Sequence, residues 1–167
     1  MSYLDKPSGS LLQRLVVARH DLEQAAFYVD HLLKKEWHSE TFQKRRWQTY
    51  MQQTAFCTAL MVAYCRPYTQ SHGWPKFPKE LSPYSEQEWR LHKKLLSLRN
   101  EVYAHSDIGK RKVRNLSLFG KPLSVIQHEK MVVSKQELEL LQGMLKSTQQ
   151  AISRRCTELA AKLSNAA

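Results

Sequence analysis

The sequence predicts an all-α protein: an up-and-down bundle of four long helices, with a basic loop or small hairpin inserted between helices three and four. Three observations lead there. Only 11 of 167 residues are glycine or proline, which favours long uninterrupted elements over a turn-rich β fold. Apolar residues recur at i, i+3, i+4 and i+7 along four separate stretches. Two of those stretches open on a Ser-x-x-Glu capping box, Ser85 with Glu88 and Ser134 with Glu137, in which hydroxyl and carboxylate satisfy two otherwise orphaned backbone N–H groups.

Taken in order, Met1 to Ser10 holds Pro7, Gly9 and three serines and reads as an irregular lead. The first helix is expected from near Ser10. Its buried face runs through Leu11, Leu15, Ala18, Leu22, Ala25, Ala26, Val29, Leu32 and Leu33, with Lys34 and Lys35 at the negative pole of its dipole. Ser39 or Thr41 can cap the second helix. That helix begins basic and aromatic, with Lys44, Arg45 and Arg46 beside Trp47 and Tyr50. It turns apolar nearly all round between Ala55 and Tyr64, which suits the middle of a bundle, and Pro67 ends it.

Residues 66 to 83 form a proline-rich connection that His72, Trp74 and Phe77 are expected to anchor. The third helix starts at the Ser85 box and is expected to run to about His105, with Gly109 available for a left-handed C-cap. Residues 110 to 133 are the least helical part, and a hairpin around Gly120 and Pro122 competes there with irregular loop. The last helix buries Leu138, Leu141, Leu145, Thr148, Ile152, Cys156, Leu159 and Leu163 and should end before Asn165.

The third helix organises the chain. At roughly 100° per residue, Leu91, Leu95, Leu98, Val102 and His105 share one stripe, and Trp89, His92, Leu96, Arg99 and Tyr103 a second beside it. Together they cover about half the circumference, wider than a surface helix needs. Arg99 therefore lies inside the apolar arc and His105 at its edge. A charge there is costly unless a partner or water meets it. One reading is a core arginine paired to a carboxylate, with a hydrogen-bonded histidine nearby.

The residue order offers another. Arg99, polar Asn100, four more residues and His105 resemble the signature of the HEPN superfamily: an arginine, four to six residues, then a histidine, often with a polar residue after the arginine. The stretch Leu98-Arg99-Asn100-Glu101-Val102-Tyr103-Ala104-His105-Ser106-Asp107 is similar to the form found in HEPN proteins of abortive-infection and toxin–antitoxin type. The resemblance implies a single HEPN-like helical domain over residues 1–167. It also implies a metal-independent endoribonuclease, a toxin or antiviral effector, that works without a cofactor.

The residues permit that chemistry. RNA carries its own nucleophile, the 2′-hydroxyl, so cleavage needs a base, an acid and positive charge for the transition state. His105 can move protons near neutral pH. Arg99 is permanently charged and can clasp phosphate oxygens. Asn100 can orient either. No HExxH, paired cysteines or glycine-rich phosphate loop is present, so no metal site is expected.

In a regular helix Arg99 and His105 would stand about 120° and about 9 Å apart. Either the helix loosens before His105, or two copies of the motif meet across a two-fold axis. The HEPN resemblance implies the second, a composite cleft in a homodimer. Some HEPN toxins carry a tyrosine two residues after the histidine, which an antitoxin nucleotidyltransferase modifies. Asp107 stands there in this chain, so that neutralisation is not expected, and an antitoxin or other regulatory protein partner stays unidentified.

A formal charge of +11 points to a polyanion. Lys110, Arg111, Lys112 and Arg114, directly after the motif, together with Arg45 and Arg46, are the expected RNA-backbone contacts. Three scattered cysteines read as reduced, hence a cytoplasmic setting. The longest apolar run is too short to span a bilayer, so no membrane role is expected. The alternative to a nuclease is a non-catalytic HEPN-like module that binds RNA, a nucleotide or a protein.

Overall fold

The computed structural model describes residues 7–38, 47–70, 72–100, 111–118, 120–128 and 133–165. Four helices pack together: α1 (Pro7–Lys34), α2 (Trp47–Cys65), α3 (Glu86–Leu98) and α4 (Lys135–Ser164). Between α3 and α4 lies an antiparallel hairpin of β1 (Arg111–Leu118) and β2 (Lys121–His128). Hairpin therefore wins over irregular loop. Gly120 takes a φ of +73° in the connection, a value that glycine reaches without steric cost. Pro122 pairs with Ser117 and is tolerated because both strands of a two-stranded sheet are edges.

The core follows the sequence pattern. Leu15, Ala18, Leu22, Ala25 and Val29 of α1 are fully buried against Leu60, Met61 and Tyr64 of α2 and Leu141, Met144, Leu145 and Ile152 of α4. Leu11, Ala26 and Leu33 flank that face and are partly buried.

Interhelix contacts fix the packing. His31 stacks on Phe56 with ring centroids 4.1 Å apart, and Gln53 Nε2 donates 2.7 Å to the Trp37 carbonyl, tying the end of α1 to α2. Gln142 Nε2 donates 2.6 Å to Asp30 Oδ1 between α4 and α1. Lys94 Nζ donates 2.6 Å to Glu137 Oε1 between α3 and α4.

Both capping boxes form. Glu88 N–H donates to Ser85 Oγ at 3.3 Å and Ser85 N–H to Glu88 Oε2 at 2.7 Å; the Ser134–Glu137 pair repeats this at 3.2 and 3.0 Å.

One boundary and one set of anchors differ from expectation. Helix α1 begins at Pro7 rather than near Ser10, because proline fits a first helical turn, where its missing N–H has no partner to lose. Helix α3 is regular to Leu98, and its expected end near His105 lies outside the described residues. In the connection after α2, His72 and Trp74 are exposed; Phe77 does the anchoring, its ring 5.1 Å from Tyr68, helped by buried Leu81 and Ser82. The expected caps at Ser39, Thr41 and Gly109 lie outside the described residues.

Candidate functional site

Helix α3 carries Arg99 and Asn100, the first two residues of the motif, at its C-terminal end. Leu91, His92 and Leu95 hold its second and third turns in the core, while Leu96, Leu98 and Arg99 are half-buried and Asn100 is exposed. At Arg99 and Asn100 the winding widens to five-residue hydrogen bonding. Widened winding recurs at functional sites. The Arg99 N–H donates to the carbonyls of Leu95 and Leu96, so the backbone up to Arg99 keeps the ordinary winding. The course of the chain from Glu101 to His105 lies outside the described residues.

Arg99 Nη1 donates 2.9 Å to Asn100 Oδ1. Among the described residues no carboxylate pairs with Arg99, so these residues do not supply the partner that a buried ion pair would need. Its charge is felt by Cys65. Burial raises that thiol and outweighs the lowering by the nearby guanidinium, leaving it at about 12. The Cys65 thiol donates 3.6 Å to the Leu95 carbonyl and is structural rather than reactive. Arg99 and Asn100 form a half-exposed cation with a neighbouring amide, a pairing able to receive a phosphate oxygen.

The other expected site residues are not brought to this place by the described structure. His105, Lys110, Arg45 and Arg46 lie outside the described residues. Arg111, Lys112 and Arg114 fall on β1, in register with His128, Gln127 and Val125.

Two polar residues buried in the structure carry no sequence signal of their own. His92 lies 2.8 Å through Nδ1 from the Tyr64 hydroxyl and has Tyr68, Tyr84 and Trp89 rings with centroids 4.6–5.7 Å away. Burial lowers its pKa to about 4, so it is neutral at pH 7. Tyr68 and Tyr84 hydroxyls meet at 2.8 Å, and Tyr84 reaches Thr148 Oγ1 at 2.9 Å, which explains the buried threonine in α4. Arg14, 4% exposed, donates through Nη2 to the carbonyls of Arg66, Pro67 and Thr69 at 3.3, 2.7 and 3.3 Å, closing the end of α2. Burial lowers its pKa, and Asp21 opposes that shift. Both residues sit among apolar neighbours at helical spacing, where only the three-dimensional partners reveal their role.

No group of three or more histidine, cysteine, aspartate or glutamate side chains able to hold a metal occurs among the described residues. No described helix is long and apolar enough to cross a membrane. An open groove of about 490 Å³ lies between α3 and α4, lined by Gln87, Lys94, Ser134, Gln136, Glu137 and Leu140, and Arg99 is not part of it. No family model, curated protein or solved structure matches the chain.

Proposed function

We propose that this chain is a HEPN-like, metal-independent endoribonuclease whose Arg99 and His105, with Asn100 in support, act on the scissile phosphate in a cleft shared by two subunits. The observation that carries the reading is the widened winding at Arg99–Asn100, which holds a half-buried arginine without a carboxylate among the described residues. A permanent cation of that kind suits a phosphate better than a core. The net charge of +11 supports a polyanionic substrate. Leu96, Leu98 and Arg99 leave part of the α3 arc open in one chain, as a two-fold partner would require.

In the reaction the 2′-oxygen gives up its proton to a base and attacks the adjacent phosphorus. The bond from phosphorus to the 5′-oxygen breaks, and that oxygen takes a proton from an acid. The products are a 2′,3′-cyclic phosphate and a 5′-hydroxyl. His105 serves in one of the two proton transfers. Arg99 stabilises the charge that develops on the phosphate oxygens. Lys110, Arg111, Lys112, Arg114, Arg45 and Arg46 hold the strand.

The same reading makes the domain an up-and-down bundle. The contacts His31–Phe56, Gln142–Asp30 and Lys94–Glu137, with Arg14–Pro67 and Tyr84–Thr148 at the other end, support that order. A toxin or antiviral role in the cytoplasm, held in check by an antitoxin or other protein, belongs to the same proposal.

Incubation with matched RNA and 2′-O-methyl RNA in EDTA tests it. The expected result is cleavage of the first, with cyclic-phosphate ends, and none of the second, which lacks the nucleophile. Binding of both with cleavage of neither would leave only the non-catalytic module.

A further inference from the structure

A second basic feature lies away from the motif. Helices α1 and α4 enclose an open groove of about 560 Å³, lined by Arg19 and Glu23 from α1 and by Lys146, Gln149, Gln150, Ser153 and Arg154 from α4. On α4, Lys146, Gln150 and Ser153 follow i, i+4, i+7 spacing and so share one line of the helix, with Gln149 and Arg154 flanking it. From Lys146 to Arg154 the line covers two turns, about 12 Å. Strand phosphates of a duplex recur about every 3.4 Å of axis, so the groove spans more than one.

Its charge is not balanced from within. The only carboxylate in the lining, Glu23, is already met by Arg19 Nε at 3.2 Å, with His20 Nδ1 at 4.0 Å. Lys146 and Arg154 are exposed, and among the described residues neither makes an ion pair. Two unmatched cations stand over amide and hydroxyl groups that can donate further hydrogen bonds.

The chemistry of the lining identifies the partner. A protein docking site needs apolar or aromatic anchors at its centre, and every residue lining this groove is charged or polar. Nucleic-acid interfaces are polar and positively charged, and amides, hydroxyls and cations are the groups that hold phosphate oxygens.

We propose that the α1–α4 groove binds the phosphodiester backbone of an RNA strand, with Lys146 and Arg154 as its phosphate contacts. This site is separate from Arg99 and shares with the nuclease reading only the choice of RNA as partner.

The test is fluorescence anisotropy with a labelled single-stranded 2′-O-methyl oligonucleotide, titrated with the full chain across a range of salt. That probe cannot be cut, so binding is read independently of catalysis. Lys146→Gln/Arg154→Gln should weaken binding and flatten the log–log salt slope by about 1.4, at roughly 0.7 per lost contact. The equally charged-down control Lys34→Gln/Lys35→Gln, at the exposed end of α1, should keep the parent slope.

An unchanged slope in the groove variant, equal losses in the control, or no binding by the parent would each overturn the proposal. So would displacement of the RNA by polyglutamate at equal charge concentration, which would make the partner an acidic protein. If RNA is cut while the groove variant binds like the parent, the groove assignment alone fails. If the groove variant loses binding but the parent cuts nothing, the nuclease reading alone fails.

Discussion

His92 shows what a single buried residue does to the stability of this bundle. Its ring touches Tyr64, Tyr68, Tyr84 and Trp89, and no carboxylate is among these contacts to receive a proton's charge. Burial lowers its pKa from 6.5 to about 4. Because the unfolded chain takes up the proton first, its contribution is fully present above pH 6.5 and is lost as pH falls towards 4. The difference corresponds to roughly 3 kcal/mol. Urea titrations between pH 7 and 4 should show this acid limb in the parent and a shallower one in His92→Gln, which keeps a hydrogen-bond partner for Tyr64. Equal limbs would mean that other groups govern acid unfolding. The sequence put His92 on the inner arc but could not show how it is satisfied. Arg14 was less legible still, because its acceptors are backbone carbonyls more than fifty positions away.

At the scale of elements, local signals with local causes read well. The box at Ser134 is specified by two side chains three residues apart, and it forms as the spacing predicts. Glu137 also serves the tertiary structure. Burial opposes its ionisation, but Lys94 and the Ser134 N–H and hydroxyl outweigh that and hold its carboxyl below the ordinary value. Ser134→Ala should therefore cost about 1 kcal/mol, a fall of about 2–4 °C in thermal midpoint for a chain of this size. A midpoint unchanged within error would show that Glu137 anchors the helix without the serine. The end of α1 was legible in Lys34 and Lys35, but the form of its stop was not. Glu36 N–H donates to the Leu33 carbonyl at 3.0 Å and Trp37 N–H to the Leu32 carbonyl at 2.9 Å, with Glu36 at φ 53°, a stop that glycine usually signals. The aromatic packing of Trp37 on His31 and Phe56 holds a non-glycine there.

For the whole molecule, four helices were legible because their apolar spacing extends over many turns. The proposed site was legible only as a residue pattern, since a regular helix would set Arg99 and His105 about 120° apart and His105 lies outside the described residues. The proposed composite cleft predicts a two-fold dimer, which sedimentation velocity at micromolar concentration should report as a single species of twice the chain mass. A monomer would remove the shared cleft. The central claim, that Arg99 and His105 cut RNA, is met most directly by measuring cleavage in EDTA for the parent, Arg99→Ala and His105→Ala, each with its thermal midpoint. The expected result is parental cleavage indifferent to the chelator and losses of about 10²–10⁴ in rate for each variant, with midpoints close to the parent's. Variants that fold normally and cut RNA as fast as the parent would contradict the account, as would a loss of roughly 3–5 kcal/mol in stability that marks both residues as a structural pair.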